Sequence, residues 1–449
     1  MKFLFNLRIP ILAIVLFSLS LTTACAPTVT PGTHQVSLAA DGSQPDARSN
    51  QPSISSDGRY VAFTSEASNL VADDTNGVTD VFVRDMLTGT TTRVSLATDG
   101  TQGDKVSYWP YISANGRYTA FVSEATNLVL NDNNEVADVY VHDNKTGKTE
   151  VASVSSDGTL GNDLSFWASL SSDGRYVAFM SAATNLVDSD QNHDWDVFVH
   201  DMKTGETKRI SLASDGAESN AQSEYPVISA DGRYVAFASD ATNLVAGDTN
   251  GYRDVFEYDR KSGEIIRISV ASDGTQANEG TELGAIAISG DGKFVAFASM
   301  ASNLVADDTN QFWDIFVHDR LTGLTSRVSV ANDGTQANAG SYGVSITADG
   351  RYVAFGSNAT NLVSGDTNGV QDVYTYDRQT NQVALVSVAD DGTQGDLPSG
   401  FTLVAPGGVD IAYGSLISSD GRTVIFMSNA SNLVEHDDNW KQDIYLHTQ

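Results

Sequence analysis

A short pattern of hydrophobic and polar residues returns seven times along the chain. In its first copy Ile54 precedes an Asp57-Gly58 turn, and the apolar run Tyr60-Val61-Ala62-Phe63 follows. Asp-Gly and Asn-Gly favour tight hairpin turns, and Tyr, Val and Phe favour strands. No segment keeps a helical period, so the repeat predicts an array of β-hairpins. The turn glycine recurs at Gly58, Gly116, Gly174, Gly232, Gly292, Gly350 and Gly421.

Each repeat contains two further strand patterns. In the first repeat these are Asp80–Asp85 and, after a turn at Thr88-Gly89, Thr92–Leu96. The unit therefore has four antiparallel strands, here called a to d. Four-stranded units repeated radially form the blades of a β-propeller. The sequence predicts an all-β protein that folds as a seven-bladed propeller over residues 34–449.

The two ends of the chain complement each other. The last repeat ends at strand c, Asp443–His447, while His34–Gly42 near the start matches the strand d segment Arg93–Gly100. We therefore expect the N-terminal strand to complete the seventh blade. This arrangement closes the ring without a free joint between its first and last blades. The alternative is an open array of β-units.

The N-terminus has the pattern of an export signal. Lys2 and Arg8 precede the apolar run Ile9–Leu21, which is too short for an ordinary membrane-spanning helix. The sequence Leu21-Thr22-Thr23-Ala24-Cys25 resembles the lipobox of bacterial lipoproteins, although Thr22 stands where that family usually has Leu. The resemblance implies a signal peptide over 1–24, lipidation of Cys25, a tether over 25–33 and an outer-membrane or cell-surface location. An ordinary signal peptide is the alternative.

Charge narrows the choice of partner. The formal net charge is −31, from 26 basic and 57 acidic residues. So acidic a chain repels phosphate backbones, which argues against nucleic acid as a partner. Because strand direction alternates, the tight a–b and c–d turns lie on one face and the long b–c and d–a connections on the other. We expect the long-loop face to be the acidic working face and the protein to be a monomer.

Every b–c loop carries the motif Asp-x-Asn-x-x-x-Asp. Alternating oxygen side chains suit Ca²⁺, which takes 6–8 oxygen ligands. Asx turns, in which Asp and Asn bond nearby backbone groups, explain the same pattern without a metal. The candidate ligands are Asp74, Asn76, Asp80, Asp132, Asn134, Asp138, Asp190, Asn192, Asp196, Asp248, Asn250, Asp254, Asp308, Asn310, Asp314, Asp366, Asn368, Asp372, Asp437, Asn439 and Asp443.

Large aromatic residues precede strand a in blades 2 to 4 only. They are Tyr108, Trp109, Phe166, Trp167 and Tyr225, whereas blades 5 and 6 have Ala285 and Gly343 at the corresponding places. Since strand a lines a propeller channel, these rings are candidate ligand anchors at one side of the channel mouth. Alternatively, they pack adjacent blades together.

One repeat is longer than the others. The step from the sixth turn glycine to the seventh is 71 residues, against 58 in four of the other five steps. The extra chain lies within Asp396–Asp410, on the long-loop side. Three roles are open for such a loop. It covers the channel, it contacts a partner, or it is a surface insertion that the fold accepts without a functional role.

No residue set specifies a reaction. His142, His200 and His318 share one repeat position and are therefore spread around the ring, as are the serines that follow strand a. No nucleophile elbow and no phosphate-binding loop is present. A catalytic pair assembled from different blades is not detectable at this level.

The stretch Ser56–Ser65, followed by Asp80–Asp85, resembles the TolB-type (WD40-like) β-propeller repeat over about residues 34–449. The resemblance implies a protein-binding platform in the bacterial envelope, and related blades gate substrates in some peptidases. The chain has longer b–c loops than that family. We expect a non-catalytic lipoprotein that binds an envelope protein or glycan. The alternatives are a glycan-active lyase or hydrolase with its site in the channel, and a calcium-stabilised surface protein.

Overall fold

The structure is a computed structural model that describes residues 29–400, 402–404, 410–412 and 416–449. The signal peptide and Cys25 lie outside these ranges. All regular elements within them are β-strands. The part of the chain described here contains no helix long and apolar enough to cross a membrane.

Within the described ranges, thirty strands form seven four-stranded antiparallel sheets and one two-stranded hairpin. Strand β1 is Gly32–Gln35. Blades 1 to 3 are β2 (Ser49–Ile54), β3 (Tyr60–Ser65), β4 (Asp80–Asp85) and β5 (Thr90–Arg93); β6 (Ser107–Ile112), β7 (Tyr118–Ser123), β8 (Asp138–Asp143) and β9 (Lys148–Val151); β10 (Ser165–Leu170), β11 (Tyr176–Ser181), β12 (Asp196–Asp201) and β13 (Glu206–Arg209).

The remaining blades follow the same order. They are β14 (Ser223–Ile228), β15 (Tyr234–Ser239), β16 (Asp254–Asp259) and β17 (Glu264–Arg267); β18 (Thr281–Ile288), β19 (Phe294–Ser299), β20 (Asp314–Asp319) and β21 (Leu324–Arg327); β22 (Ser341–Ile346), β23 (Tyr352–Ser357), β24 (Asp372–Asp377) and β25 (Gln382–Leu385). The hairpin is β26 (Thr402–Val404) with β27 (Asp410–Ala412), and blade 7 continues as β28 (Leu416–Ile417), β29 (Thr423–Ser428) and β30 (Asp443–Thr448).

Blade 7 is completed by the N-terminal strand, as predicted. Its strand order is β1-β30-β29-β28, and the β1 register runs from Gly32 opposite Thr448 to Gln35 opposite Tyr445. Just beyond β1, Ser37 Oγ donates to Asp443 Oδ1 at 2.6 Å. The prediction of a closed seven-bladed propeller is therefore confirmed.

The outermost strands begin and end earlier than predicted. Strand d of blade 1 was expected at Thr92–Leu96 but spans Thr90–Arg93. The cause is Ser95, whose hydroxyl accepts a hydrogen bond from Val81 N at 3.2 Å and donates to Asp80 Oδ1 at 2.5 Å. A side chain thus replaces the backbone ladder at the end of the strand.

The core lies between the blades. Strands b and c are buried along almost their whole length because neighbouring blades cover both faces. Each blade adds one aromatic pair from these strands, such as Phe63 and Phe82, with ring centroids 5.8 Å apart. Repeating this pair seven times links the blades into one continuous apolar ring.

The tight-turn face neutralises its own basic residues. Arg59 donates to both carboxylate oxygens of Asp85, at 3.0 and 2.7 Å, and its guanidinium lies 4.7 Å from the ring centre of Tyr60. The same pairing holds at Arg117, Arg175, Arg233 and Arg351. The turn glycines are required by packing as well as by conformation, because a Cβ on Gly116 (φ +69°) would lie 2.2 Å from the Tyr60 ring.

Adjacent blades are also joined by backbone hydrogen bonds around this end of the channel. Ser56 N donates to Ala114 O at 2.9 Å, and Ser419 N of blade 7 donates back to Ser56 O at 3.0 Å. Equivalent bonds link Ser172, Ala230, Gly290 and Ala348 in turn. The residues involved are small, which allows the backbones to approach closely.

Candidate functional site at the channel mouth

The inner strands carry a β-bulge at the mouth of the channel on the long-loop face. At this position Gln51, Trp109, Trp167 and Tyr225 adopt left-handed backbone angles, with φ between 52 and 56°. For residues other than glycine, such backbone angles destabilise the fold by about 1–3 kcal/mol. A bulge also changes the direction in which its side chains point. In blades 5 and 6 the positive angle falls on Gly284 and Gly343, and in blade 7 it falls on Gly400, which follows the bridged Ser399 directly and so stands one residue before the counterpart of Trp109.

Strand β18 corrects one sequence alignment. Ala285 was expected to correspond to Tyr225, but the bulge residue of blade 5 is Gly284. The reason is that β18 has eight residues where the other complete inner strands have six. The two additional residues are accommodated within the bulge, between Thr281 and Ile286.

The five aromatic candidates come together along one side of the mouth. The ring of Trp109 lies 5.0 Å from Tyr108, 5.5 Å from Phe166 and 5.5 Å from Trp167, measured between centroids. Trp167 in turn meets Tyr225 edge-on at 4.9 Å. A chain of rings therefore spans blades 2, 3 and 4, and we call it the aromatic wall.

The members of the aromatic wall differ in exposure. Trp109 and Tyr225 are buried, with 6% and 5% of their surface exposed, and Trp109 N also donates to Gln51 Oε1 at 2.9 Å. Tyr108, Phe166 and Trp167 are half-buried. The buried rings pack blades together, and the half-buried rings leave surface that a ligand can contact.

Sequence reasoning missed Trp195, which stacks on Phe166 with centroids 5.6 Å apart. It belongs to the b–c loop immediately before strand c. The repeat position could have indicated it, because large side chains, Arg253 and Trp313, stand at the same place in blades 4 and 5.

The long insertion lies at the same level as the bulges. It was expected within Asp396–Asp410, whereas strand pairing places it between Ser399, which bridges to Ser428, and Leu416, which pairs with Ile425. Its strand β27 contacts β18 of blade 5. The insertion therefore starts in blade 7 and crosses the mouth opposite the aromatic wall, on the side where the bulges are glycines.

The channel is lined by uncharged residues, mainly apolar at the mouth and more polar towards the tight-turn end. At the level of the bulges it holds a cavity of about 100 Å³ lined by Trp109, Trp167, Val227, Ile286 and Leu416 among others. Towards the tight-turn end a second cavity of about 160 Å³ is lined mainly by isoleucines and small residues. None of the described residues that line either cavity carries a charge.

Charged side chains begin at the rim of the mouth. Arg253 donates to Asp240 Oδ2 at 2.7 Å and lies 2.9 Å from Glu224 Oε2. Glu282 in the blade 5 bulge has one carboxylate oxygen with no hydrogen-bond partner among the described residues. Burial raises the pKa of Glu282 to about 8, although a backbone hydrogen bond from Gly343 acts to lower this pKa. Glu282 is therefore protonated at neutral pH.

The Asp-x-Asn loops form Asx turns in all seven blades. Asn76 Oδ1, for example, accepts from Val78 N at 3.3 Å, and Asn76 Nδ2 donates to Asp80 Oδ2 at 2.9 Å. The equivalent backbone bonds are made by Asn134, Asn192, Asn250, Asn310, Asn368 and Asn439. These bonds account for the motif as a folding element.

The first carboxylate of each loop is held in one of two ways. In blades 1, 3, 4 and 5 an arginine of strand d bridges it to the second carboxylate; Arg93 Nη1, for instance, lies 3.1 Å from Asp74 Oδ1 and 3.4 Å from Asp80 Oδ2. In blades 2, 6 and 7 strand d has no arginine there, and a strand c tyrosine donates to the first carboxylate instead. These tyrosines are Tyr140, Tyr374 and Tyr445.

No group of three or more His, Cys, Asp or Glu side chains in the described ranges is arranged to hold a metal. The histidines at the shared repeat position bond within their own blades, as His142 does to Thr149 Oγ1 at 2.9 Å.

Comparison with known proteins identifies the fold. No protein-family model and no curated protein matches the chain. Among solved structures, oligogalacturonate lyase from Vibrio parahaemolyticus aligns with a TM-score of 0.52 and 12% identity, covering 94% of this chain and 91% of that one. The β-propeller domain of the Trilobed protease from Pyrococcus furiosus gives 0.53 and 10%, covering 89% and 95%.

TolB from Acinetobacter baumannii aligns less well, with a TM-score of 0.41 and 16% identity over 73% of this chain and 63% of that one. The prediction of a β-propeller fold is confirmed by the alignments with oligogalacturonate lyase and with the Trilobed protease domain. These identities are too low to carry an activity from one protein to another.

Proposed function

We propose that this protein is a non-catalytic binding propeller that captures an apolar side chain of a basic protein partner in its channel mouth. The observation that carries the proposal is the uncharged cavity beside the aromatic wall. Apolar pockets surrounded by polar rims are where interface hot spots insert. Apart from the hydroxyls of Ser53 and Tyr111, the described residues that line this cavity offer no acid, base or nucleophile.

The charge of the surrounding face supports a basic partner. Exposed acidic residues lie in the b–c loops and in the d–a segments bonded to those loops, among them Asp73, Asp104, Asp188, Asp307 and Asp438. The arginines of the opposite face are already paired with aspartates. A field of one sign on the binding face accelerates the approach of a partner of opposite sign and makes binding sensitive to salt.

Lipidation of Cys25 and a short tether up to residue 33 would hold this ring at the outer membrane or cell surface. That location is part of the proposal. Because β1 begins at Gly32, the tether would join the ring at the outermost strand of blade 7, on the edge of the blade away from the channel.

A glycan-active enzyme is the second candidate, and Glu282 is the observation that favours it. A carboxylic acid protonated at neutral pH beside a cleft is suited to general acid catalysis. The similarity to oligogalacturonate lyase adds a shared fold. In that case the mouth would act on acidic or neutral polysaccharide.

Peptide and glycan arrays probed with the purified chain distinguish the two candidates. We expect binding to peptides that combine an apolar residue with flanking Lys or Arg, weakened by salt and by Trp167→Ala. Trp440→Ala is the matched control, because Trp440 is 83% exposed in the blade 7 b–c loop. Binding or cleavage of polysaccharide that is lost in Glu282→Gln, with no peptide binding, would contradict the proposal.

A further inference from the structure

The two types of b–c loop provide an internal comparison. In blade 5, which has an arginine, Arg327 Nη1 lies 3.1 Å from Asp308 Oδ1, 3.3 Å from Asp314 Oδ2 and 3.3 Å from Gln336 Oε1. One positive group thus occupies a position between three oxygen atoms. Blades 1 and 4 repeat the arrangement with Gln102 and Gln276.

Blade 6 keeps the oxygen atoms but has no positive group between them. The residue opposite Tyr374, where arginine stands in blade 5, is Leu385. Asp366 and Asp372 are both more than nine-tenths buried. Asp366 Oδ1 and Asp372 Oδ2 are the counterparts of the two atoms that contact the arginine in blade 5. Asp366 Oδ1 makes no hydrogen bond to the described residues, and the neutral Asn368 amide is the one donor beside Asp372 Oδ2.

The other oxygen atoms of these carboxylates are already engaged. Asp366 Oδ2 accepts from the Tyr374 hydroxyl at 2.6 Å, and Asp372 Oδ1 accepts from Ser387 Oγ at 2.5 Å. These bonds fix the two carboxylates and leave one oxygen of each facing the position that arginine fills elsewhere. Gln394 is also fixed, since its Nε2 donates to Gly365 O at 2.8 Å and its Oε1 accepts from Thr367 N at 3.1 Å.

We propose that the blade 6 loop binds one divalent cation, Ca²⁺, between Asp366 Oδ1 and Asp372 Oδ2, with Gln394 Oε1 as a neutral ligand. Two buried carboxylates without a counter-charge are costly, and a bound cation removes that cost. An all-oxygen donor set with room for water ligands suits calcium. The inference is independent of the ligand at the channel mouth.

Blades 2 and 7 lack parts of this arrangement. Blade 2 has Leu160 in place of the glutamine, and blade 7 has Gln35 opposite Tyr445 where arginine would stand. The polar Gln35 side chain neighbours Asp443 in blade 7, whereas blade 6 has the apolar Leu385 at this place. We therefore assign the site to blade 6 alone.

The chain supplies its own control substitutions. The double variant Leu385→Arg with Tyr374→Phe gives blade 6 the residues of blade 5. Calorimetric titration of the full chain with CaCl₂ after removal of metal by EDTA should show one bound equivalent in the natural chain and none in this variant. With Kd of about 10⁻⁴–10⁻³ M, as in extracellular calcium modules, 10 mM Ca²⁺ should raise Tm by about 1–4 °C in the natural chain only.

The reverse exchange in blade 5, Arg327→Leu with Phe316→Tyr, should add a second equivalent. Should the blade 6 double variant fail to fold, Asp366→Asn tests the same point, because it removes one charged ligand and keeps the shape. Equal calcium responses in the natural chain and Asp366→Asn, or no calcium binding by the natural chain, would overturn the proposal.

Discussion

The periphery of the ring repeats the same residues from blade to blade, whereas the mouth of its channel does not. At the periphery each blade repeats the same turn, the same aromatic pair and the same Asp-Asn-Asp loop, even where arginine and tyrosine exchange roles. At the mouth the blades differ: aromatic rings occupy the bulges of blades 2 to 4, glycines occupy those of blades 5 and 6, and both length changes in the repeat fall there. The repeated parts serve the fold, and the irregular part is where a specific function would be placed.

The largest expected effect comes from opening the ring. Deleting residues 29–38 removes β1 and the Ser37 bond to Asp443, which exposes the edge of β30. We expect Tm to fall by more than about 10 °C and the protein to associate through the exposed strand. Thermal unfolding and light scattering measure both effects. A deletion variant with unchanged Tm would show that β1 does not carry closure.

A single peripheral carboxylate should matter almost as much. Asp196 is fully buried and accepts bonds from Asn192, Ser211 and Arg209. Replacing it with Ala leaves the buried donors of Asn192 and Ser211 without their acceptor and removes one of the three carboxylates around Arg209, so we expect a loss of about 3–5 kcal/mol in the free energy of unfolding. Denaturant unfolding measures this loss, and Asp194→Ala in the same loop is the control. A cost below about 1 kcal/mol would contradict the assigned role.

The aromatic wall divides into a structural and an accessible part. Trp109→Ala should cost about 3 kcal/mol because the ring is buried among three others, and Trp167→Ala should cost less because part of its surface is exposed. If Trp167→Ala proves the more destabilising of the two, Trp167 acts mainly in packing and is a poor candidate for ligand contact.

The mouth also predicts a pH dependence. Since the pKa of Glu282 is raised to about 8 in the fold, the folded chain binds more protons than the unfolded chain between about pH 4.5 and 8. Stability should therefore fall as pH rises through this window. Glu282→Gln should remove that part of the decline, whereas Glu279→Gln, an exposed neighbour, should leave it. Identical pH profiles would place Glu282 in a solvated position.

The smallest effect concerns backbone angles in the exposed loops. Gln311 has φ +61° at a position where blades 1, 4 and 6 have glycine. Gln311→Gly should raise stability by about 0.5–1 kcal/mol, because glycine adopts this angle without strain. Thermal unfolding detects the gain, and a loss would mean that the glutamine side chain contributes contacts outweighing the strain.

The fold was predictable because its determinants are local and repeated. Asp57-Gly58, the alternating strands and the match of His34–Gly42 to strand d were enough for blade number and closure. The shortened strand d was not predictable, since it depends on the Ser95 hydroxyl reaching Asp80 across the sheet. The gathering of the aromatic rings followed from repeat position and the lining of the channel by strand a.

Other features of the site depend on which residues come to lie opposite one another once the strands have paired. Gly284 could not be aligned because the two extra residues of β18 are hidden in a bulge. Whether an arginine or a tyrosine holds the first carboxylate of a b–c loop depends on residues of two different strands, such as Leu385 and Tyr374 in blade 6. Their pairing is seen only in the folded sheet. Burial of Glu282 likewise results from elements distant in sequence.

The bulges mark the places where this architecture accepts new sequence. Thirteen additional residues enter blade 7 there, and two enter blade 5, without altering the outer strands of either blade. A segment inserted beside Trp109 or Gly343 would likewise emerge over the channel while six other blades hold the scaffold. Natural variation or laboratory selection at these points can therefore change what the ring recognises, and leave the way it folds intact.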